Sequence, residues 1–207
     1  MTVTSLRLVI LGDSIGFGTG AARPAEALGP RLAAALTDDG FDVDLHVLAV
    51  PGAVSADLAP QVRRAEPLAP DLVLVVIGAN DLARFRPPEQ AAGELAAAIG
   101  ALRATGAGVV VVPAPDMSMV PFVPPAFRSV VRAACAQLQI RQTAVAEVGG
   151  ASVAAVSAAV SAAFTADPAL FSGDRFHPSS AGYARIAAEV APAVIAAARA
   201  RRDEAAA

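Results

Sequence analysis

Short apolar runs alternate along the chain with longer segments in which alanine, apolar and charged residues mix. The apolar runs predict strands at Leu6–Leu11, Val43–Val50, Leu72–Ile77 and Val109–Val112, with a weaker strand near Ala151–Val156. The third and fourth are apolar at every position, which is typical of strands covered on both faces. The mixed segments predict helices at Ala25–Asp38, Ser55–Arg64, Glu89–Ala104 and Phe127–Ala146, and from Ser179 to about Arg199.

This alternation of strands and helices predicts a parallel sheet with helices on both faces. No linker or repeat divides the 207 residues, so we predict one domain over residues 1–200, followed by a frayed tail over 201–207. Ligands of such folds bind at the carboxyl ends of the strands. Ser14, Gly52 and Asn80 follow the first three predicted strands, which places them at this edge.

Composition and charge narrow the classes of partner. Hydrophobic residues make up 55% of the chain and charged residues 17%, which favours a globular protein with a large core over a disordered one. The net charge is −3 and the arginines are scattered, whereas a nucleic-acid-binding protein would present a basic stripe. We therefore expect no nucleic-acid partner.

Neither a disulfide nor a membrane span is expected. Cys135 is the only cysteine, so no internal disulfide can form. The longest uncharged run, Val148–Phe164, contains glycines and serines and is shorter than the roughly 20 residues that a span requires. We recognise no secretion signal, and the sequence therefore predicts a cytoplasmic protein.

The stretch LGDSIGFGTGA, Leu11–Ala21, matches two motifs with different chemistry. Residues 12–16 fit G-x-S-x-G, a turn that presents a nucleophilic serine, and residues 16–21 fit G-x-G-x-x-A, a pyrophosphate-binding loop. A dinucleotide site needs an acidic residue at the end of the second strand, which here ends VLAVPG. This absence favours the serine interpretation, with nucleotide binding as the alternative.

A nucleophilic serine needs a base and an acid that orients it. His46 lies inside the second predicted strand, where a structural role is expected, whereas His177 lies in a loop before the last helix. Asp174, three residues earlier, can accept the Nδ1–H of His177, and Pro178 keeps His177 extended. A polar helix N-terminus is the alternative interpretation of this segment.

An esterase also needs donors for the charge that develops on the carbonyl oxygen. Gly52, in AVPGAVS, can offer a backbone N–H, and Asn80, in VVIGAND, a side-chain amide at the same edge of the sheet. The alternative for Asn80 is a turn or helix-capping role.

Together these segments resemble the SGNH hydrolase family, also called GDSL-type esterases and lipases. Its four sequence blocks are matched in order, over residues 8–190, by Gly12-Asp13-Ser14, Gly52, Gly78-Ala79-Asn80-Asp81 and Asp174-Arg175-Phe176-His177-Pro178. The resemblance implies a flavodoxin-like three-layer α/β/α sandwich with a central, mostly parallel five-stranded sheet.

The resemblance also implies the roles of the site residues. Ser14 would be the nucleophile, His177 the base and Asp174 the residue that orients it. The oxyanion hole would consist of the Ser14 and Gly52 N–H groups and the Asn80 side chain, while Asp13 would hold the loop in shape. Pro51, before Gly52, departs from the small or polar residues more usual in the family.

The sequence thus predicts a serine hydrolase that cleaves carboxylic esters with small to medium acyl chains through an acyl-enzyme, without a metal or cofactor. Its expected partner is a small-molecule acyl ester. Phe17, Met117, Met119 and Phe122 are predicted to bind the acyl chain, unless their loops only cover the sheet. Thioesterase, acyltransferase and deacetylase activities are alternatives at the same site, and a non-catalytic binding protein is a further one. The sequence does not predict an oligomeric state.

Overall fold

The computed structural model describes residues 4–206, and a five-stranded parallel sheet forms its centre. The strands follow one another in the order β2-β1-β3-β4-β5, and every neighbouring pair is parallel. Their bounds are β1 (Thr4–Gly12), β2 (Phe41–Val47), β3 (Leu72–Val76), β4 (Gly108–Val112) and β5 (Ser152–Val153). The strand order reverses between β1 and β3, and in such sheets the reversal opens a crevice at the carboxyl ends.

Six helices cover the two faces of the sheet, which confirms the predicted three-layer architecture. One face carries α2 (Leu28–Asp38), α7 (Ala158–Ala166) and α8 (Ser180–Ala206). The other carries α3 (Leu58–Ala65), α5 (Pro88–Ala104) and α6 (Arg128–Val148). Two short helices, α1 (Ser14–Phe17) and α4 (Ala79–Ala83), begin directly after β1 and β3 at the carboxyl edge.

The core divides into two layers because successive strand residues point to opposite faces. In β1, Leu8 and Ile10 pack with α2 and α8, while Val9 and Leu11 pack with α3 and α5. The alternation explains why β3 and β4, which are covered on both faces, carry no polar side chain.

Two predicted element boundaries, the end of the second strand and the start of the first long helix, are wrong for local reasons. The second strand ends at Val47 rather than Val50, because the chain turns towards the end of β1, where Val50 N donates to Gly12 O at 3.0 Å. The helix predicted from Ala25 begins at Leu28, since residues 24–26 form a separate 3₁₀ turn.

The largest differences from the prediction lie in the last third of the chain. Helix α7 was not predicted; Ser157 caps it by accepting from Val160 N. The predicted frayed tail is also wrong over residues 201–206, which continue α8. Arg201 pairs with Glu204 at 2.6 Å, and Arg202 lies over the ring of Phe41 at 5.3 Å, so side chains support this last turn. Residue 207 of that prediction lies outside the described residues.

Helix α8 is the one helix among residues 4–206 that is long and apolar enough to cross a bilayer, judged by length and composition alone. Core helices meet the same criteria, and Tyr183, Val190 and Val194 of α8 pack in the core on the first face of the sheet.

Candidate active site

The turn after β1 presents Ser14 at the carboxyl edge of the sheet. Gly12 has a φ of +128°, and a Cβ atom there would lie 1.8 Å from the carbonyl oxygen of Val76, so only glycine allows β1 and β3 to approach so closely. Asp13 accepts from Ile15 N at 2.9 Å and thereby caps α1. Ser14 is the first residue of this helix, and it is only 6% exposed.

Asp13 is buried directly beside the serine. Burial is the largest influence and raises the pKa of Asp13 to about 7, although the hydrogen bond from Ile15 N opposes the shift. The nearby charge of Asp81 raises the pKa further. The hydrogen bond to Ile15 gives Asp13 a part in shaping the serine turn.

Two glycines within the stretch that fits the nucleotide motif serve close packing. A Cβ atom on Gly18 would meet the Cβ of Ala27 at 2.3 Å. One on Gly20 would lie 3.0 Å from the Cβ of His177 and 2.5 Å from the carbonyl oxygen of Pro178. Gly20 therefore lets the loop that carries His177 approach the turn that carries Ser14.

The histidine loop holds its imidazole and carboxylate in contact. His177 Nδ1 lies 2.6 Å from Asp174 Oδ2, and Asp174 Oδ1 accepts from Ser172 Oγ at 2.7 Å and from the backbone N–H groups of Phe176 and His177, both at 2.9 Å. Because Asp174 is engaged with Nδ1, the other ring nitrogen, Nε2, is available to face a substrate.

These hydrogen bonds also set the ionisation of Asp174. Desolvation raises its pKa, but the hydrogen bonds from His177, Ser172 and the backbone N–H groups of His177 and Phe176 together outweigh that effect. The pKa of Asp174 consequently lies well below its ordinary value, and the carboxylate stays ionised beside the imidazole.

A tight turn after β2 presents the Gly52 N–H. Ala53 N donates to Val50 O at 3.0 Å, and Gly52 has a φ of +83°. A type II turn requires a positive φ at its third residue and favours proline at its second, so Pro51 and Gly52 both suit this turn. Within residues 4–206 the Gly52 N–H has no hydrogen-bond acceptor, which leaves it free for a ligand.

Asn80 stands opposite this turn, in α4. Its Nδ2 donates to Ala53 O at 3.0 Å, which fixes the orientation of the amide and leaves its second N–H for another acceptor. Asp81 accepts from the backbone N and the Oγ of Ser55, both at 3.0 Å, and contacts Arg86 at 3.2 Å. Several polar contacts therefore join α4 to the Gly52 turn.

Ser14 and His177 line one narrow cavity of about 70 Å³ whose walls are almost entirely apolar. Met117 and Met119 line it as well, whereas Phe17 and Phe122 are not among its lining residues. Phe122 instead stacks on Phe176, which does line the cavity, with ring centroids 6.4 Å apart. The apolar walls suit an acyl chain that starts at Ser14.

No hydrogen bond joins Ser14 Oγ to the imidazole of His177 in the part of the chain that the structure describes. Hydrogen bonds between catalytic groups are often long without substrate and tighten in its complex. The other histidine, His46, lies in β2 and contacts Asp44 at 3.1 Å, in keeping with the structural role expected of it. Over residues 4–206, no group of three or more His, Cys, Asp or Glu side chains is placed to hold a metal ion.

Sequence reasoning missed two buried glutamines that hold the strand ends. Gln61 accepts from Gly12 N at 2.7 Å and donates to Gly12 O at 2.9 Å. Gln142 accepts from Ala114 N at 2.8 Å and donates to Ile77 O at 2.9 Å. Both occupy positions in the apolar stripe of a helix, and a glutamine in such a stripe was the available signal.

Arg84 is a further residue that sequence reasoning missed. Arg84 directly follows α4, and its Nη2 donates to Gly52 O at 2.8 Å, so it links the two elements that carry Gly52 and Asn80. We expect Arg84→Ala to lower kcat for an ester about tenfold with little change in KM, because a looser Gly52 N–H stabilises the developing oxyanion less well.

Steady-state kinetics on Arg84→Ala and Arg84→Lys test this role. The lysine ammonium can still donate to the Gly52 carbonyl, so it should restore part of kcat. Arg63→Ala, at an arginine on α3 without a carboxylate partner among the described residues, is the matched control. An unchanged kcat in Arg84→Ala would show that Arg84 does not position this donor.

Comparisons with known proteins agree on one family. The GDSL-like lipase/acylhydrolase family matches residues 10–185. The GDSL-like esterase Rv1075c of Mycobacterium tuberculosis is 32% identical over 183 residues, which cover 86% of this chain. The match spans 58% of that relative's length.

Three solved structures share the fold. TesA superposes with a TM-score of 0.75 at 23% identity, covering 92% of this chain and 99% of that one. The psychrotrophic esterase EstA from Pseudoalteromonas sp., described as inhibited by monoethylphosphonate, superposes with a TM-score of 0.70 at 20% identity, covering 91% of this chain and 96% of that one. The acetylxylan esterase Axe2 from Geobacillus stearothermophilus superposes with a TM-score of 0.70 at 21% identity, covering 94% of this chain and 96% of that one. At these identities the likeness concerns the fold.

Proposed function

The chain belongs to the GDSL-like lipase/acylhydrolase family, and on that premise we propose that it hydrolyses carboxylic esters with Ser14 as nucleophile, His177 as base and Asp174 as the residue that orients the base. The observation that carries the proposal is the shared cavity: Ser14 and His177 line the same apolar space, and Asp174 holds the Nδ1 side of the imidazole. This arrangement supports attack on an acyl group bound in the cavity.

The first half of the reaction forms an acyl-enzyme. Ser14 Oγ attacks the ester carbonyl carbon as its proton passes to His177 Nε2, and the carbonyl oxygen takes up the negative charge. The N–H groups of Ser14 and Gly52 and the second amide N–H of Asn80 are the donors we assign to this oxygen. The intermediate then collapses, and His177 gives its proton to the departing alcohol.

The second half releases the acid. A water molecule loses a proton to His177 and attacks the acyl carbon, and the proton then returns to Ser14 Oγ as the carboxylic acid leaves. Asp174 stays ionised throughout, because the hydrogen bonds that it accepts hold its pKa far below neutrality. It stabilises the imidazolium that forms in each half-reaction.

Hydrolysis of a series of p-nitrophenyl esters, from acetyl to dodecanoyl, tests the activity. We expect turnover with an optimum among the small to medium acyl chains, because the cavity that begins at Ser14 is apolar and narrow. Equal, uncatalysed rates on every ester would contradict ester hydrolysis. A matched thioester series and an acceptor alcohol would then test thioesterase and acyl-transfer activity at the same serine.

A further inference from the structure

The exposed aromatic side chains of this protein are concentrated around the catalytic edge. Four of its eight phenylalanines are largely exposed, and each lies in a segment that follows β1, β3 or β4 at the carboxyl edge of the sheet. We call these four residues the aromatic rim: Phe17, Phe85, Phe122 and Phe127. The exposed large side chains further along α6, Ile140 and Val148, are aliphatic, and Ile140 borders the loop that follows β4.

Phe85 is the clearest member of the rim. It is 93% exposed, so it makes almost no packing contact, and its φ is +52°, a left-handed conformation that is unfavourable for a bulky residue. The left-handed conformation belongs to the turn that ends α4, in which Phe85 N donates to Leu82 O at 3.1 Å and Arg86 N to Asp81 O at 2.9 Å. The backbone of Phe85 therefore has a structural role, whereas packing does not explain its exposed ring.

The rim is continuous with the active site. The ring of Phe122 stacks on Phe176 at 6.4 Å, and Phe176 meets the imidazole of His177 edge-on at 4.9 Å. Phe122 is itself 60% exposed, so an aromatic path leads from the base to the surface. A partner that covers Phe122 therefore lies beside Phe176 and His177, which line the cavity.

Three arginines, two in the segments after β3 and β4 and one in the histidine loop, carry unpaired positive charge. Among the described residues, Arg84, Arg128 and Arg175 have no carboxylate within ion-pair distance. Other carboxylates near this edge are engaged or buried: Asp116 pairs with Arg132, Asp81 with Arg86, Glu26 with Arg23 and Asp174 with His177, and Asp13 is buried. The catalytic edge thus combines exposed rings with guanidinium groups that have no carboxylate partner, in a protein whose net charge is −3.

We propose that the aromatic rim and these three arginines dock the protein on the surface of an anionic lipid aggregate, with the cavity opening towards the lipid. Exposed phenylalanine rings can bury themselves at the boundary between headgroups and acyl chains, and guanidinium groups are attracted by anionic headgroups. The inference rests on the proposed ester hydrolysis for its purpose, since docking would deliver an acyl ester to Ser14.

Binding is measured on a Ser14→Ala background, so that no hydrolysis is needed. Full-length protein is sedimented with phosphatidylcholine vesicles and with vesicles that also contain phosphatidylglycerol. Since each arginine near an anionic surface strengthens binding roughly fivefold, we expect at least about tenfold tighter binding to the anionic vesicles, weakened by added salt.

Two matched double variants locate the surface. Phe85→Asn with Phe127→Ser should lower vesicle binding about tenfold, because two exposed rings are lost. Asparagine tolerates the left-handed backbone at residue 85, and serine at residue 127 can cap α6, so both substitutions suit the fold. Ile140→Ser with Val148→Ser removes two exposed aliphatic groups of α6 that are not part of the rim and should leave binding unchanged. Arg175→Asn tests the charge separately.

Several results would overturn the proposal. These are no binding to anionic vesicles, equal binding to both kinds of vesicle, or an equal loss in the two double variants. If sedimentation velocity shows a dimer that the rim substitutions dissociate, the rim binds a second copy of the chain and not a lipid surface. In protein that keeps Ser14, the double variant Phe85→Asn with Phe127→Ser should hydrolyse water-soluble p-nitrophenyl acetate at the wild-type rate. A failure of docking is therefore distinguishable from a failure of catalysis.

Discussion

Replacing Ser14 with alanine is expected to lower kcat for ester hydrolysis by at least about a thousandfold, because the substitution removes the atom that forms the acyl-enzyme. The fold should survive, since Asp13 and backbone groups, not Ser14 Oγ, make the hydrogen bonds of the serine turn. What activity remains would come from binding and from the oxyanion donors.

Initial rates on the preferred p-nitrophenyl ester, with thermal unfolding as the check on folding, measure this effect. Ser172→Ala is a useful comparison, because it removes one hydroxyl that donates to Asp174 and leaves the nucleophile in place. Its loss should be far smaller. A Ser14→Ala protein that keeps about a tenth or more of the wild-type kcat would exclude Ser14 as the nucleophile.

Replacing Asp174 with asparagine is expected to lower kcat by about 10³- to 10⁴-fold at neutral pH. An amide that donates towards Nδ1 would favour the wrong tautomer and leave the imidazolium unstabilised. The pKa of Asp174 lies well below its ordinary value, so the carboxylate is charged across the accessible pH range. Titration of Asp174 should therefore not produce the acidic limb of the wild-type pH–rate profile.

Profiles of kcat against pH for wild type and Asp174→Asn test both statements. Asp167→Asn is the matched control: Asp167 is another aspartate that caps a turn, accepting from Ala169 N at 2.9 Å. That variant should keep the wild-type profile. A loss smaller than about tenfold in Asp174→Asn would contradict the orienting role assigned to the carboxylate.

The apolar pattern was a good guide to the sheet because β3 and β4 are buried along their whole length. Their bounds follow from side-chain hydrophobicity alone, without knowledge of distant partners. Helix α7 was missed because Ala158–Ala166 has a weak amphipathic pattern. The last turn of α8 was missed because its support, including Phe41 under Arg202, comes from a distant strand.

The candidate site shows the same division between local and distant information. The spacing of Asp174 and His177 was sufficient to predict their contact, since one tight loop carries both. Gln142 and Arg84 act on backbone groups far away in sequence, which no local motif signals. Met119 lines the cavity and Phe17 does not, because the direction of a loop side chain depends on the backbone that surrounds it.

The nucleophile assignment can be tested most directly by covalent labelling. The protein is treated with an activated monoethylphosphonate ester, and the adduct is located by peptide mass spectrometry. Ser14 Oγ should form a bond to phosphorus as the leaving group departs, giving one adduct on the peptide that contains Ser14 and none in Ser14→Ala. Labelling at another residue, or no labelling of wild-type protein that hydrolyses esters, would contradict the account.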